Sequence, residues 1–152
     1  TAKPVMNIAD VPLRDMAHGE TFAAKVGSFG GMIGSDGIGV MVHEVAPGKA
    51  AFPFHAHHQT HELFVILEGE GTYRFGDTTY KVTVGDVLGA PAGRAELAHQ
   101  LTNTGTSTLK YICVANQTET NVVELPEHGV LRVHHRKSGG YESVELPTSA
   151  KA

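Results

Sequence analysis

The sequence predicts an all-β protein, an antiparallel sandwich or barrel of seven or eight short strands. Short runs rich in β-branched and aromatic residues recur at near-regular spacing along the chain. Turn-forming residues separate these runs, and glycine alone occurs 18 times. Together these observations favour strands joined by tight turns over long helices.

The turn signals place the individual strands. Gly76 and Asp77 lie between two alternating runs and predict a tight hairpin. In the second run of this hairpin, the alternation places Tyr80, Val82 and Val84 on an apolar face. The predicted strands comprise residues 22–26, 40–45, 62–67, 72–75, 79–84, 87–88, 99–103 and 108–114, with residues 130–134 as an added edge strand.

Composition narrows the range of functions. The 152 residues suit one domain, and 41% of them are hydrophobic, which is enough for a core. The net charge of −4 comes without any basic cluster, so we expect no nucleic-acid partner. No apolar run reaches membrane-spanning length, and residues 1–5 show no secretory signal. Cys113 is the single cysteine, so no internal disulfide can form and a cytoplasmic location is expected.

The segment from His55 to Glu62 is the most informative stretch, because it holds four histidines and a glutamate. On an extended strand, residues two apart point to the same side, so His55 and His57 aim into the same space. Glu62 opens an apolar run, where an unpaired carboxylate costs several kcal/mol unless a cation or hydrogen bonds compensate it. Two imidazoles and one carboxylate on rigid strands predict a metal site with room for a further ligand.

Other interpretations of these residues stay open. A histidine-rich run can also be a solvated loop or a weak chelator, although the acid within an apolar strand favours a ligand set. His61 directly precedes Glu62 and is expected on the opposite, outer face, while His58 falls in a predicted turn. Cys113 lies in an apolar run and is interpreted as a small core residue.

Two motifs in residues 40–116 resemble those of the cupin superfamily. The first combines Gly, a spacer, His-x-His, Glu and Gly, and here it consists of Gly48, His55-Ala56-His57, Glu62 and Gly69. The second combines Gly, Pro-x-Gly, a spacer, His and Asn, and here it consists of Gly85, Pro91-Ala92-Gly93, His99 and Asn103. The spacers before His55 and His99 have six and five residues, where the motifs usually have five and two. Both insertions change the mouth of the site without removing a ligand.

The resemblance implies a jelly-roll barrel, also called a double-stranded β-helix, with a metal held by His55, His57, Glu62 and His99. The fourth ligand, His99, comes from the resemblance alone. The implied organisation is an N-terminal extension with edge strands over residues 1–39, a barrel core over residues 40–116, and a partly mobile C-terminal extension over residues 117–152.

The ligand set suits one divalent transition metal ion per chain, Zn, Fe, Mn or Ni, with a coordination position left for a small molecule. The resemblance to small, single-domain, sugar-phosphate-isomerase-like cupins suggests an enzyme that acts on a sugar or sugar phosphate. Two alternatives stay open, an iron-dependent dioxygenase and a non-catalytic barrel that binds or senses a small ligand. No catalytic residue is assigned. Arg94 and Glu96, in the lengthened loop before His99, are either an anion-binding and acid–base pair or ordinary solvated charges.

A homodimer is also expected. The resemblance favours one, and an edge strand at residues 130–134 would need a partner.

Overall fold

The structure, a computed structural model, describes residues 2–138 and 140–148. Three 3₁₀ helices span Ile8–Asp10, Gly31–Ile33 and Ala95–Leu97. The strands are β1 Arg14–His18, β2 Phe22–Ser28, β3 Ile38–Val45, β4 Ala56–His57, β5 Glu62–Glu68, β6 Glu70–Phe75, β7 Thr78–Thr83, β8 Val87–Ala90, β9 His99–Thr102, β10 Leu109–Asn116, β11 Thr120–Leu125, β12 Val130–Lys137 and β13 Gly140–Pro147.

The strands form three antiparallel sheets, and the predicted all-β jelly roll is confirmed. The largest sheet has the order β1-β2-β3-β10-β5-β8, a second has β13-β12-β11-β4, and a third has β7-β6-β9. A hydrophobic core joins the first sheet to the third, with Val26, Ile66 and Tyr111 from one and Tyr73 and Leu101 from the other. Among the described residues, no helix has the length and apolar character needed to span a membrane.

The C-terminal strands differ from the sequence prediction. Residues 130–134 form part of β12, but β12 is an inner strand because β13 pairs with it on one side and β11 on the other. The prediction of an edge strand was therefore wrong. It failed because every residue of β13 is exposed, so the strand has no alternation of buried and exposed positions to reveal it. In β7, only Val82 of the predicted apolar face is buried, whereas Tyr80 and the following Val84 are more than half exposed.

Gly69 of the first motif and Asn103 of the second each stabilise a turn between strands. Gly69 has a φ of 79°, and a Cβ added there would lie 2.4 Å from the carbonyl oxygen of Thr108. Only glycine accommodates both the positive φ and this close approach of the Thr108 backbone. Asn103 is fully buried, and its side-chain nitrogen donates to the carbonyl oxygens of Val45 and Ser107, each at 2.8 Å. These contacts fix the turn that follows β9.

Candidate metal centre

Four side chains named from the sequence meet at the inner ends of three strands. His57 lies in β4, Glu62 begins β5 and His99 begins β9. His55 precedes β4 and pairs with His99 through two backbone hydrogen bonds, from His55 N to His99 O at 3.1 Å and from His99 N to His55 O at 2.8 Å. This pairing holds two imidazoles side by side, with their ring centroids 4.6 Å apart.

One carboxylate oxygen lies at the centre of the group. Glu62 Oε2 is 3.2 Å from Nε2 of His57, 3.2 Å from Nε2 of His99 and 4.0 Å from Nε2 of His55. Ligand atoms of His55, Glu62 and His99 all lie within 4.8 Å of one another, which is the spacing of donors around a single ion. All four side chains are at most 15% exposed, so the converging atoms are largely shielded from bulk water.

The outer ring nitrogens determine which tautomer the histidines adopt. Nδ1 of His55 lies 2.7 Å from the carbonyl oxygen of Pro53, and Nδ1 of His99 lies 3.4 Å from that of Leu97. A carbonyl only accepts, so each Nδ1 carries the proton when it makes this bond. In the neutral imidazole, Nε2 then presents a lone pair towards the Glu62 carboxylate. Two acceptors facing each other require a proton or a cation between them, and this is the arrangement that a metal ion resolves.

Asn121, on β11, supplies the same kind of support for His57. Its Nδ2 lies 2.7 Å from His57 Nδ1, while its Oδ1 is buried without a partner in the described part of the chain. Turning the amide by 180° places Oδ1 on the Nδ1–H of His57, which satisfies the orphaned oxygen and frees Nε2 for a metal. Nothing in the local sequence predicted this role, because β11 meets β4 through a pairing of distant segments, with Val123 opposite His57.

Cys113 contacts the other oxygen of the central carboxylate. The sequence suggested a small core residue, and Cys113 is indeed buried, but its thiol also donates to Glu62 Oε1 at 3.6 Å. Burial and the nearby Glu62 raise the pKa of the Cys113 thiol, so the thiol keeps its proton. The carboxylate is thereby contacted on both oxygens.

The charges in the site follow from burial and hydrogen bonding. Burial opposes ionisation of Glu62, but the contacts with the His57 and His99 imidazoles outweigh it and hold the pKa of the carboxyl well below its usual range. Burial, followed by the neighbouring imidazoles of His99 and His57, lowers the pKa of His55 to about 3. At neutral pH the site therefore offers an anionic oxygen and at least one neutral imidazole, the protonation states that metal binding needs.

The remaining histidines of the segment lie outside this group. His58 Nε2 is 2.7 Å from Glu124 Oε2 on β11, so it forms a separate, partly buried pair. His61 is exposed, and its Nδ1 accepts from the backbone nitrogen of Ala92 at 3.2 Å.

Three of the four side chains, His55, His57 and Glu62, line a cavity of about 530 Å³ between the six-stranded and four-stranded sheets. This volume falls in the range of small-molecule sites. His99 lines a separate, smaller pocket together with His55.

Arg94 and Glu96 are not among the described residues that line the larger cavity. The basic side chains that do line it come from β12 instead, namely Arg132 and His134, which the sequence analysis did not assign to the site.

Residues 41–115 match the family of the cupin domain. This segment is a cupin domain. The match covers both motifs from His55 to Asn103, so the resemblance predicted from the sequence is confirmed. No curated protein sequence is detectably similar to the chain.

Solved structures extend the likeness beyond this domain. A candidate sugar phosphate isomerase from Acidithiobacillus ferrooxidans is similar with a TM-score of 0.77 and 24% identity, over 93% of this chain and 92% of that one. A sugar phosphate isomerase of the cupin superfamily from Silicibacter pomeroyi is similar with a TM-score of 0.79 and 17% identity, over the same shares of the two chains. A predicted oxalate decarboxylase from Thermotoga maritima is similar with a TM-score of 0.64 and 19% identity, over 75% of this chain and 99% of that one. At these identities the likeness establishes the shared fold.

Proposed function

We propose that His55, His57, Glu62 and His99 bind one divalent transition metal ion, and that the protein is a metal-dependent enzyme acting on a small sugar phosphate, with aldose–ketose isomerisation as the reaction class. The observation that carries this proposal is the composition of the cavity wall. Three of the four converging donors, His55, His57 and Glu62, belong to it, and so does a basic pair on β12, Arg132 and His134. An ion at the donor set supplies Lewis-acid polarisation of substrate oxygens.

The basic pair lies within electrostatic reach of the donor set. Burial lowers the pKa of His134, and the nearby Arg132 and His57 side chains add to this effect. His134 is also the register partner of Asn121, which contacts His57. A molecule bound between the donors and the basic pair can therefore present a hydroxyl or carbonyl at one end and an anionic group at the other.

Arg132 is suited to the anionic end. Its Nε lies 3.1 Å from Glu145 Oε2, but the two side chains are 47% and 55% exposed. An ion pair this exposed contributes about 0–1 kcal/mol. A phosphate group can take its place, because guanidinium binds phosphate through parallel charge-assisted hydrogen bonds. The fold shared with two proteins described as sugar phosphate isomerases is consistent with this substrate class, and β11 to β13 lie outside the matched cupin domain.

Arg132→Gln should lower kcat/KM for phosphorylated sugars by about 10- to 100-fold, the loss expected for one charged hydrogen-bonding partner. It should leave any activity on the corresponding free sugars unchanged. Arg136→Gln is the matched control, since it removes the same charge from the same strand at an exposed residue that is not among those lining the cavity. The assay follows interconversion of aldose and ketose phosphates by NMR with metal-loaded protein.

Other outcomes of this assay would point to the other functions. Loss of isomerisation from both arginine variants equally would contradict a phosphate site at Arg132. Oxygen consumption coupled to substrate loss would favour an iron-dependent oxygenase. Tight binding of one compound without turnover would favour a sensor barrel. Elemental analysis of the purified protein identifies the ion for each case.

We also infer that the protein is a homodimer. The outer strand β13 leaves Val144 and Leu146 about half exposed, and they pair with Val133 and Leu131 of β12 to form one apolar face. A second copy of the chain would cover this face. Light scattering should give twice the 16.1 kDa chain mass, and Val144→Lys should reduce it to one chain mass. A monomer at micromolar concentration in the unsubstituted protein would contradict this inference.

A further inference from the structure

His43 is a buried histidine that the donor set does not use. It lies in β3, it is 1% exposed, and it belongs to the wall of the cavity that three of the candidate metal ligands also line. Neither of its ring nitrogens has a hydrogen-bond partner among the described residues. A buried imidazole with two unsatisfied polar atoms is destabilising, because the ring has lost its contacts with water and gained none in return.

The ring is nevertheless held in a defined orientation. Tyr111, the register partner of His43 on β10, stacks on one face with a centroid distance of 4.8 Å and an angle of 14°. Phe52 meets it edge-on at 5.5 Å and also contacts the ring of the candidate ligand His55 at 6.0 Å. These contacts position the imidazole without satisfying it, which is the condition of a preorganised binding group.

The chemistry of the ring defines what it can bind. Burial lowers the pKa of His43 to about 4, with Glu62 opposing the shift, so the ring is neutral at physiological pH. A neutral imidazole offers one N–H donor and one lone pair. A hydroxyl group has the same pair of functions, so the ring complements a polyol or the hydroxyl beside a carbonyl.

Phe52 packs edge-on against the His43 ring and also lines the cavity. It is 39% exposed and lies between β3 and β4, outside any strand or helix. A large aromatic side chain in such a position can change rotamer at low cost. Its rotation would uncover the His43 ring beside His55.

We propose that His43 is a substrate-binding residue, which hydrogen-bonds a hydroxyl of an open-chain sugar once the Phe52 side chain turns aside. This inference rests on the proposed function for the identity of the substrate, but the role of His43 depends only on its unsatisfied ring and its place in the cavity wall. In this orientation the hydroxyl end of the substrate lies at His43 and the anionic end at Arg132, and both residues line the cavity.

The test uses glucitol 6-phosphate, an open-chain polyol phosphate that cannot isomerise, titrated by calorimetry into metal-loaded protein. His43→Phe keeps the ring stacking but removes both polar atoms. It should raise the melting temperature by about 5 °C, since two unsatisfied groups are lost. It should also leave the metal content unchanged and weaken binding of the probe by about 10- to 100-fold.

His43→Gln, which keeps a donor and an acceptor, should recover part of this affinity. His128→Phe makes the same chemical change at an exposed turn and should change neither the melting temperature nor the affinity for the probe.

The outcomes separate this inference from the proposed function. Unchanged affinity in His43→Phe would overturn the role of His43, and so would a lower melting temperature, because it would show that the imidazole stabilises the fold. If the unsubstituted protein does not bind glucitol 6-phosphate, the sugar-phosphate proposal fails. In that case the melting temperature of His43→Phe still tests His43, since a gain supports a polar group kept at a cost to stability and a loss overturns its binding role.

Discussion

Glu62→Gln should lower the affinity of the protein for a divalent transition metal by more than 100-fold. The glutamine has the shape of the glutamate but lacks its charge, and Glu62 Oε2 is the atom on which His57, His99 and His55 converge at 3.2, 3.2 and 4.0 Å. Changes to groups that only orient a ligand cost about 10- to 100-fold, so the loss of the anionic ligand itself should exceed that range. Elemental analysis after dialysis, with competition against a chelator, measures the effect.

A graded series makes this prediction specific. His57→Ala removes one imidazole donor and should also reduce the bound metal sharply. Asn121→Leu leaves every donor in place but removes the group that orients His57, so a loss of about 10- to 100-fold is expected. His128→Ala is the control, because His128 is exposed in the turn between β11 and β12. Full metal occupancy in both Glu62→Gln and His57→Ala would contradict the ligand set and the catalytic proposal that depends on it.

The strands that carry the donors were predicted from the sequence more completely than β11 to β13, which form the opposite side of the cavity. Turn signals and alternation predicted strands at the positions of β3, β5, β9 and β10, because these elements are bounded by glycine or by polar turns and bury one face or both. The spacing of His55 and His57 predicted two donors on one side of an extended segment, and they do converge on Glu62. His99 needed the family resemblance, since nothing local connects β9 to a strand about 40 residues earlier.

The residues that sequence reasoning missed depend on pairings between distant segments. Asn121 reaches His57 only because β11 pairs with the two-residue strand β4. Arg132 borders the cavity only because β12 pairs in turn with β11. Cys113 lies between Ile112 and Val114, which are also apolar, so no alternation indicated which side of β10 meets Glu62. Arg94 and Glu96 were considered because their loop is long, but loop length does not fix direction, and they are not among the described residues lining the cavity.

Acidification should destabilise the metal-free protein as the pH falls below the ordinary histidine pKa of about 6.5. Burial lowers the folded-state pKa of His43 to about 4 and that of His55 to about 3. Between these values and 6.5, the unfolded chain binds more protons than the folded one, so the free energy of unfolding decreases as the pH falls. Each pKa unit corresponds to about 1.4 kcal/mol, so protonation of the two imidazoles should lower the free energy of unfolding by several kcal/mol. The depressed pKa of Glu62 acts in the same direction at still lower pH.

The stabilisation contributed by the metal should disappear over the same range. Imidazole ligands bind only when neutral and Glu62 only when ionised, so protons compete with the ion. The gap in melting temperature between metal-loaded and metal-stripped protein should therefore narrow on acidification and close as the pH approaches about 3, the folded-state pKa of His55. His43→Phe separates the two effects, because it removes a buried imidazole but no donor. The free energy of unfolding of the metal-free variant should depend less on pH. The difference in melting temperature between its metal-loaded and metal-stripped forms should still narrow as in the unsubstituted protein. A gap that stays constant down to about pH 3 would show that imidazoles do not hold the ion, because protons compete with the metal for His55 once the pH reaches its folded-state pKa.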